Sequence, residues 1–155
     1  MKVALSACLI GHACRYDATD NYHAELLELL DAEEIVTFCP EDHAFGSPRP
    51  TMDLVQTDEG VRALSNLTGD DLSPPVWAYA DAFFDVHTDI DLFIGKDRSP
   101  SCGVRSAKLY DAERNLLTDQ TEGLMANRAM NAGIESWDAE DFVARISPQR
   151  PDSIL

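Results

Sequence analysis

Positive charge is scarce in this chain: 12 Lys and Arg stand against 28 Asp and Glu, a formal net charge of −16 over 155 residues. Such a surface repels phosphate backbones and anionic lipids at long range, which disfavours a nucleic-acid or membrane partner. The acids are dispersed along the chain, as expected of a solvated surface serving solubility or adaptation to salt. No stretch approaches the roughly 20 apolar residues of a membrane span. The opening Met1-Lys2-Val3-Ala4-Leu5-Ser6 soon meets Gly11, His12 and Arg15 and has no signal-peptide core, so a cytoplasmic location is expected. Close metal-ligand spacings are missing too. There is no Cys-x-x-Cys pair, and no two histidines have ligand spacing, which argues against a zinc finger or ribbon. Internal repeats and low-complexity segments are absent.

Four cysteines are present, and in a reducing compartment they are not expected to form two disulfides. Their contexts separate them. Val3 to Leu5 reads as a buried strand that runs into Ser6-Ala7-Cys8. Ile35 to Phe38 is a second β-branched and aromatic run, ending at Cys39-Pro40. Leu92 to Ile94 is a third, followed by Gly95 and the loop Ser99-Pro100-Ser101-Cys102-Gly103. Between and after them, His23–Leu30, Val76–Val86 and Glu122–Ala132 read as helices, the last stopped by Gly133. Thr68 to Pro75 reads as a helix entry, Ala44 to Met52 as irregular, Leu109-Tyr110 as a short strand or turn, and Ile134 to Trp137 as a last short strand.

Strands alternating with helices predict an α/β fold: a three-layer, Rossmann-like domain with a largely parallel sheet. The expected organisation is a single cluster-binding domain over 1–146 and a C-terminal tail over 147–155. In such sheets ligands sit beyond the carboxyl ends of the strands, and three strands each deliver a cysteine just past that end. Thiolates are soft ligands suited to zinc or iron–sulfur clusters, and the wide dispersion of Cys8, Cys39 and Cys102 favours a cluster held by the fold. Three thiolates on a four-iron cubane leave one iron without a protein ligand, an arrangement suited to chemistry rather than electron transfer. Cys14 is expected to be a small buried hydrophobe, though a fourth ligand is the alternative. Phe38, Trp77, Phe83 and Phe93 are expected in the core.

Ser6-Ala7-Cys8-Leu9-Ile10-Gly11 with Arg15-Tyr16-Asp17, then Cys39-Pro40-Glu41, Pro48-Arg49-Pro50, Ser99-Pro100-Ser101-Cys102-Gly103 and Tyr110-Asp111, resemble in order the domain-of-unknown-function 523 (YbbK-like) family. The resemblance runs from Val3 to about Trp137. Some members of that family are thiouracil desulfidases, which convert thiouracils to uracil and release sulfide. It implies a 4Fe–4S cluster on Cys8, Cys39 and Cys102, a catalytic carboxylate at Glu41 and a catalytic serine at Ser101. An oxygen-labile cluster of this kind can be absent from an aerobic preparation. Arg15, Asp17 and Arg49 are candidates for holding the substrate, a small thiolated pyrimidine base or nucleoside. The sequence departs from the family at Asp42 to Ser47, at Ala18-Thr19, and at Cys14, which stands where an apolar residue is usual. Two other readings stay open: a non-catalytic metal- or redox-sensing module, and a cluster-dependent hydro-lyase.

Overall fold

The computed structural model describes residues 1–146, so the expected tail at 147–155 lies outside the described residues. Four strands build an all-parallel sheet in the order β2-β1-β5-β8: β1 Lys2–Ser6, β2 Glu34–Phe38, β5 Leu92–Gly95 and β8 Glu135–Asp138. Side chains along a strand alternate between faces, and here both faces are covered. Val3, Leu5, Leu92 and Ile94 point to one side, against Leu26 and Leu30 at helix α1 (Ala24–Leu29) and Phe142 and Val143 of helix α5 (Ala139–Ile146). Ala4 and Phe93 point to the other, against Ala80 and Phe83 of α3 (Ser73–Val86) and Met125, Ala126 and Ala129 of α4 (Leu124–Asn131). The expected α/β fold with helices on both faces of a parallel sheet is therefore present. Phe38 stacks on Phe93 at 4.8 Å between centroids and meets Phe83 edge-on at 5.8 Å, while Trp77 is only partly buried.

A second sheet was not expected. Strands β3 (Met52–Thr57), β4 (Gly60–Ser65), β6 (Ala107–Tyr110) and β7 (Leu116–Thr121) form it in the order β4-β3-β6-β7. Its β3–β4 hairpin and β6–β7 pair are antiparallel, and β3–β6 is parallel. Met52, Leu54, Ala63 and Ala107 pack under it on Val76 and Leu124, near the starts of α3 and α4. Helix α5 was likewise unassigned by sequence. Helix α2 (Pro40–Phe45) begins directly at the proline after Cys39, so its stretch overlaps what was read as irregular chain at Ala44 and Phe45. Proline is tolerated there because the first turn has no use for its missing N–H. Helix α4 starts at Leu124 rather than Glu122 and ends as expected, with Gly133 at φ 79° just past it.

The chain leaves β1 through a short 3-10 turn (Ala7–Ile10), forms β2 on one side, then returns to build β5 on the other side of β1. The carboxyl end of β1 is thus the point where the connections diverge, the place where an open parallel sheet leaves a crevice.

Candidate functional site

Each of the three strand-end cysteines arrives with local support. Cys8 lies in the 3-10 turn after β1, and Cys39 is the residue preceding α2. The Cys39 N–H donates to the Tyr79 hydroxyl of α3 at 3.2 Å. Cys102 sits in the loop after β5, where the Ser99 hydroxyl accepts from the N–H groups of Ser101 (3.2 Å) and Cys102 (3.0 Å). The carbonyls of Pro100 and Ser101 accept in turn from the first N–H groups of α4, at Leu124, Met125 and Ala126. Those donors have no partner inside the helix, so the loop and the helix end complete each other.

On its other flank this loop is fixed by Asp138 at the end of β8. The carboxylate is 2% exposed and accepts from Val104 N–H (2.8 Å), Arg105 N–H (2.8 Å) and the Ser106 hydroxyl (2.7 Å). Asp138→Ala would leave these donors unpaired, at a cost of roughly 1–3 kcal/mol each where the group stays buried. Urea denaturation of the cluster-free chain should show a loss of about 3 kcal/mol or more. A loss under about 1 kcal/mol would mean that water replaces the carboxylate.

All four cysteines line one cavity of about 530 Å³ at the diverging strand ends, together with Ser6, Arg15, Asn21, Glu41, Arg49 and Lys96. Cys8, Cys14 and Cys102 are buried and Cys39 is partly buried; none is in a disulfide. Ser101, fully buried, donates its hydroxyl to Glu41 Oε2 at 2.8 Å. The other carboxylate oxygen of Glu41 lies 3.5 Å from Arg49 Nε. That separation makes an ion pair but not a hydrogen bond, and Arg49 Nε–H is left buried without a partner. The rest of the Arg49 guanidinium is anchored: Nη1 donates to Gly46 C=O (3.0 Å) and the Ser47 hydroxyl (2.6 Å).

The thiols differ in acidity. Cys8 is lowered to about 7, chiefly by a hydrogen bond from the Cys14 thiol, with burial opposing and the Asn21 amide (3.7 Å from Sγ), Lys96 and Arg15 assisting. Cys39 is lowered as well, again chiefly through Cys14, with burial opposing. Cys14 itself is pushed up by these same contacts to Cys39 and Cys8 and by burial. It carries one thiol proton, so at any moment it donates to one of the two. Burial raises Cys102 well above the ordinary thiol range, and the charges of Cys39 and Glu41 add to this. Burial also lowers Lys96.

Of the residues expected to hold substrate, Arg15 and Arg49 line the cavity. Asp17 is not among the lining residues; it binds its own loop, accepting from Thr19 N–H at 3.1 Å and from the Thr19 hydroxyl. Arg15 also leans on the Tyr16 ring, 5.6 Å from its centroid. Asn21, Lys96, Tyr79 and Asp138 were not singled out from sequence, and Asn21 and Lys96 carry no motif that would have marked them.

Fold and site together define an α/β protein with a thiol-lined pocket at the diverging strand ends of a parallel sheet. The sequence profile of the 2-thiouracil desulfurase family matches residues 3–141, and the chain belongs to that family of enzymes. Its structure is similar to that of the 4Fe–4S-dependent thiouracil desulfidase TudS (DUF523Vcz), with 26% sequence identity, a TM-score of 0.70 and 99% of each chain covered. The resemblance to the 523 family drawn from the motifs agrees with this. A search of curated protein sequences finds no match.

Among the described residues no three His, Cys, Asp or Glu side chains are placed to hold a single metal ion. The donor chemistry of the cavity nevertheless fits a cluster, which spaces its thiolates more widely than one ion does. Three soft thiols come from three rigid strand ends, an amide already faces one of them, and a buried Arg49 N–H lacks an acceptor. Among the described residues no helix is long and apolar enough to cross a membrane.

Proposed function

We propose that this chain is a 4Fe–4S-dependent desulfidase that converts a thiouracil-like base or nucleoside to its oxo form and sulfide. The observation that carries the reading is the Ser101–Glu41 hydrogen bond of 2.8 Å, set in the same cavity as Cys8, Cys39 and Cys102. A module that merely bound metal would have no use for an acid–hydroxyl pair beside its thiols. Held on those three cysteines, the cluster supplies a Lewis-acidic iron soft enough to take a thiocarbonyl sulfur.

The remaining chemistry belongs to the chain. Replacing C=S by C=O consumes one water and releases hydrogen sulfide or its anion, so a water must be deprotonated close to the carbon. Glu41 Oε2 is the base, and Ser101 Oγ–H fixes which lone pair of that oxygen is already occupied. Arg49 steadies Oε1 through their ion pair, its guanidinium held in place by Gly46 and Ser47. Arg15 and Lys96 bring positive charge to the cavity of a strongly acidic protein and suit the polar edge of a pyrimidine. The cytoplasm, where thiols stay reduced, is the compartment this site requires. A net charge of −16 favours a free base or nucleoside over thiolated nucleic acid.

The test is anaerobic reconstitution followed by iron and inorganic-sulfide analysis and a sulfide-release assay with 2-thiouracil, 4-thiouracil and thiouridine. Iron and sulfide in near-equal amounts, with turnover of at least one of these substrates, is the expected result. Zinc without iron, or a loaded protein that releases no sulfide from any of them, overturns the proposal.

A further inference from the structure

Asn21 lines the cavity but takes no part in the acid–base pair of Glu41 and Ser101. Its side-chain Nδ2 donates to the Cys8 sulfur at 3.7 Å. Its backbone N–H donates to the carbonyl of the same cysteine at 2.9 Å. One residue thus grips Cys8 twice, at the main chain and at the sulfur. Any residue but proline could make the backbone bond; only the contact to sulfur needs an amide. Among the described residues no other side-chain N–H donates to a cysteine sulfur, so Cys39 and Cys102 lack a counterpart.

The amide is set in place by the chain around it. Asn21 lies between the 3-10 turn and α1, in a segment that belongs to no helix or strand. The Asp20 carboxylate before it accepts from Tyr22 N–H at 2.9 Å, and His23 N–H after it donates to Leu9 C=O at 3.0 Å. A cysteine that ligates iron is a thiolate and has no proton of its own to give. Only the NH₂ end of the amide can then face it, because the oxygen would set a lone pair against negative charge. A hydrogen bond of this kind draws electron density from the sulfur, and such bonds are among the factors that set the reduction potential of an iron–sulfur cluster.

We infer that Asn21 is a positioning residue for the cluster: its amide holds Cys8 toward the cavity and, by bonding to the ligating sulfur, raises the reduction potential of the cluster. The inference rests on the cluster reading above and deepens it at one ligand. Replacing C=S by C=O is neither an oxidation nor a reduction, so a cluster that serves this reaction must keep one oxidation state. Charge drawn off Cys8 makes the loss of an electron from the resting cluster harder.

Wild type, Asn21→Leu and Asn21→Asp, each reconstituted anaerobically, would be compared in three measurements. These are iron and inorganic sulfide per chain, the midpoint of cluster reduction in a dye-mediated titration, and the iron–cysteine stretching bands of resonance Raman spectra in ordinary and heavy water. Leucine is close to asparagine in size and has no donor; aspartate matches its shape and has none either. The expected result is full iron content in Asn21→Leu, with a midpoint more negative than that of wild type and a smaller deuterium shift of the iron–cysteine bands. Asn21→Asp should move the midpoint further in the same direction. An unchanged midpoint or an unchanged deuterium shift in a loaded Asn21→Leu overturns the inference while leaving the cluster reading standing. Where Asn21→Leu takes up no iron, the deuterium shift of Asn21→Asp decides, because the added charge does not imitate it: a smaller shift supports the inference and an equal one overturns it. Failure of both variants to hold any cluster makes Asn21 a structural support of its loop and overturns the effect on potential. Wild type without iron and sulfide overturns the cluster reading itself.

Discussion

Glu41→Gln should lower sulfide release from thiouracil by roughly 10²- to 10⁴-fold, the range associated with loss of a general base, while leaving the iron content and brown absorption of the reconstituted protein unchanged. Glutamine keeps the length of the side chain and an oxygen for the Ser101 hydroxyl, but it has no basic lone pair to take the proton of the attacking water. Glu41 is two residues from Cys39 in the first turn of α2, so a substitution without change of shape should not disturb the ligand. Ser101→Ala removes only the bond that orients the carboxylate, and its effect on turnover should be smaller. Sulfide release within about threefold of wild type in Glu41→Gln would remove the carboxylate from the proton-transfer step and leave it a structural acid.

Gly95→Ala should be the most disruptive of the glycine-to-alanine changes. A Cβ built on Gly95 falls on the backbone carbonyl oxygen of Cys102, and the Phe93 ring lies 3.3 Å from that Cβ. The obstacle is backbone, in a loop already fixed by Ser99, Asp138 and the start of α4, so no side chain can swing away to relieve it. Overpacking of an ordinary core costs about 1–3 kcal/mol; against backbone the cost should lie at or above the top of that range. Whatever shift does occur moves Cys102, so iron bound per chain should fall with stability. Gly123→Ala meets the same loop, 2.5 Å from the Ser101 carbonyl carbon and 2.8 Å from Cys102 N, and should behave alike. Gly60→Ala is the contrast. Its φ of 100° strains any Cβ-bearing residue, but nothing lies within 4 Å, so it should cost about 1–2 kcal/mol and leave iron uptake intact. Wild-type iron content in Gly95→Ala would mean that the loop is free to move.

The parallel sheet was legible because its strands are short runs of buried apolar residues flanked by breakers; Leu92 to Gly95 is buried at all four positions. The second sheet was not. Asp53, Gln56 and Arg62 interrupt β3 and β4, and β7 is largely exposed with Thr118, Asp119 and Gln120 in succession, so no period of two stands out. Helix α5 escaped for a related reason: only Ala139, Phe142 and Val143 of its eight residues are buried. In the site, the shared position of Cys8, Cys39 and Cys102 after strands could be read from sequence, and the structure gathers them in one cavity. Family resemblance names Glu41 and Ser101 separately, but their pairing joins residues 60 apart and is seen only in the structure. The Arg49–Glu41 pair depends on the path of the chain after α2, which no local pattern encodes. Asp138 ends a four-residue strand, and nothing in its neighbours announces that it anchors a loop 32–34 residues earlier.

The three strand-end thiols are brought together by strands drawn from between Lys2 and Gly95, with β2 and β5 meeting only through β1 between them. During synthesis the amino-terminal part emerges with Cys8, Cys14 and Cys39 but without Cys102, whose strand must still be made and inserted. Long-range pairing of this kind closes late, after its loop-closure entropy has been met. A half-made chain therefore offers no finished nest for iron, and the acquisition of metal becomes a report that the sheet is complete. On the proposed cluster reading, misfolded copies, unable to align β5 beside β1, should stay colourless, and the brown colour of a reconstituted preparation would measure its folding as well as its iron.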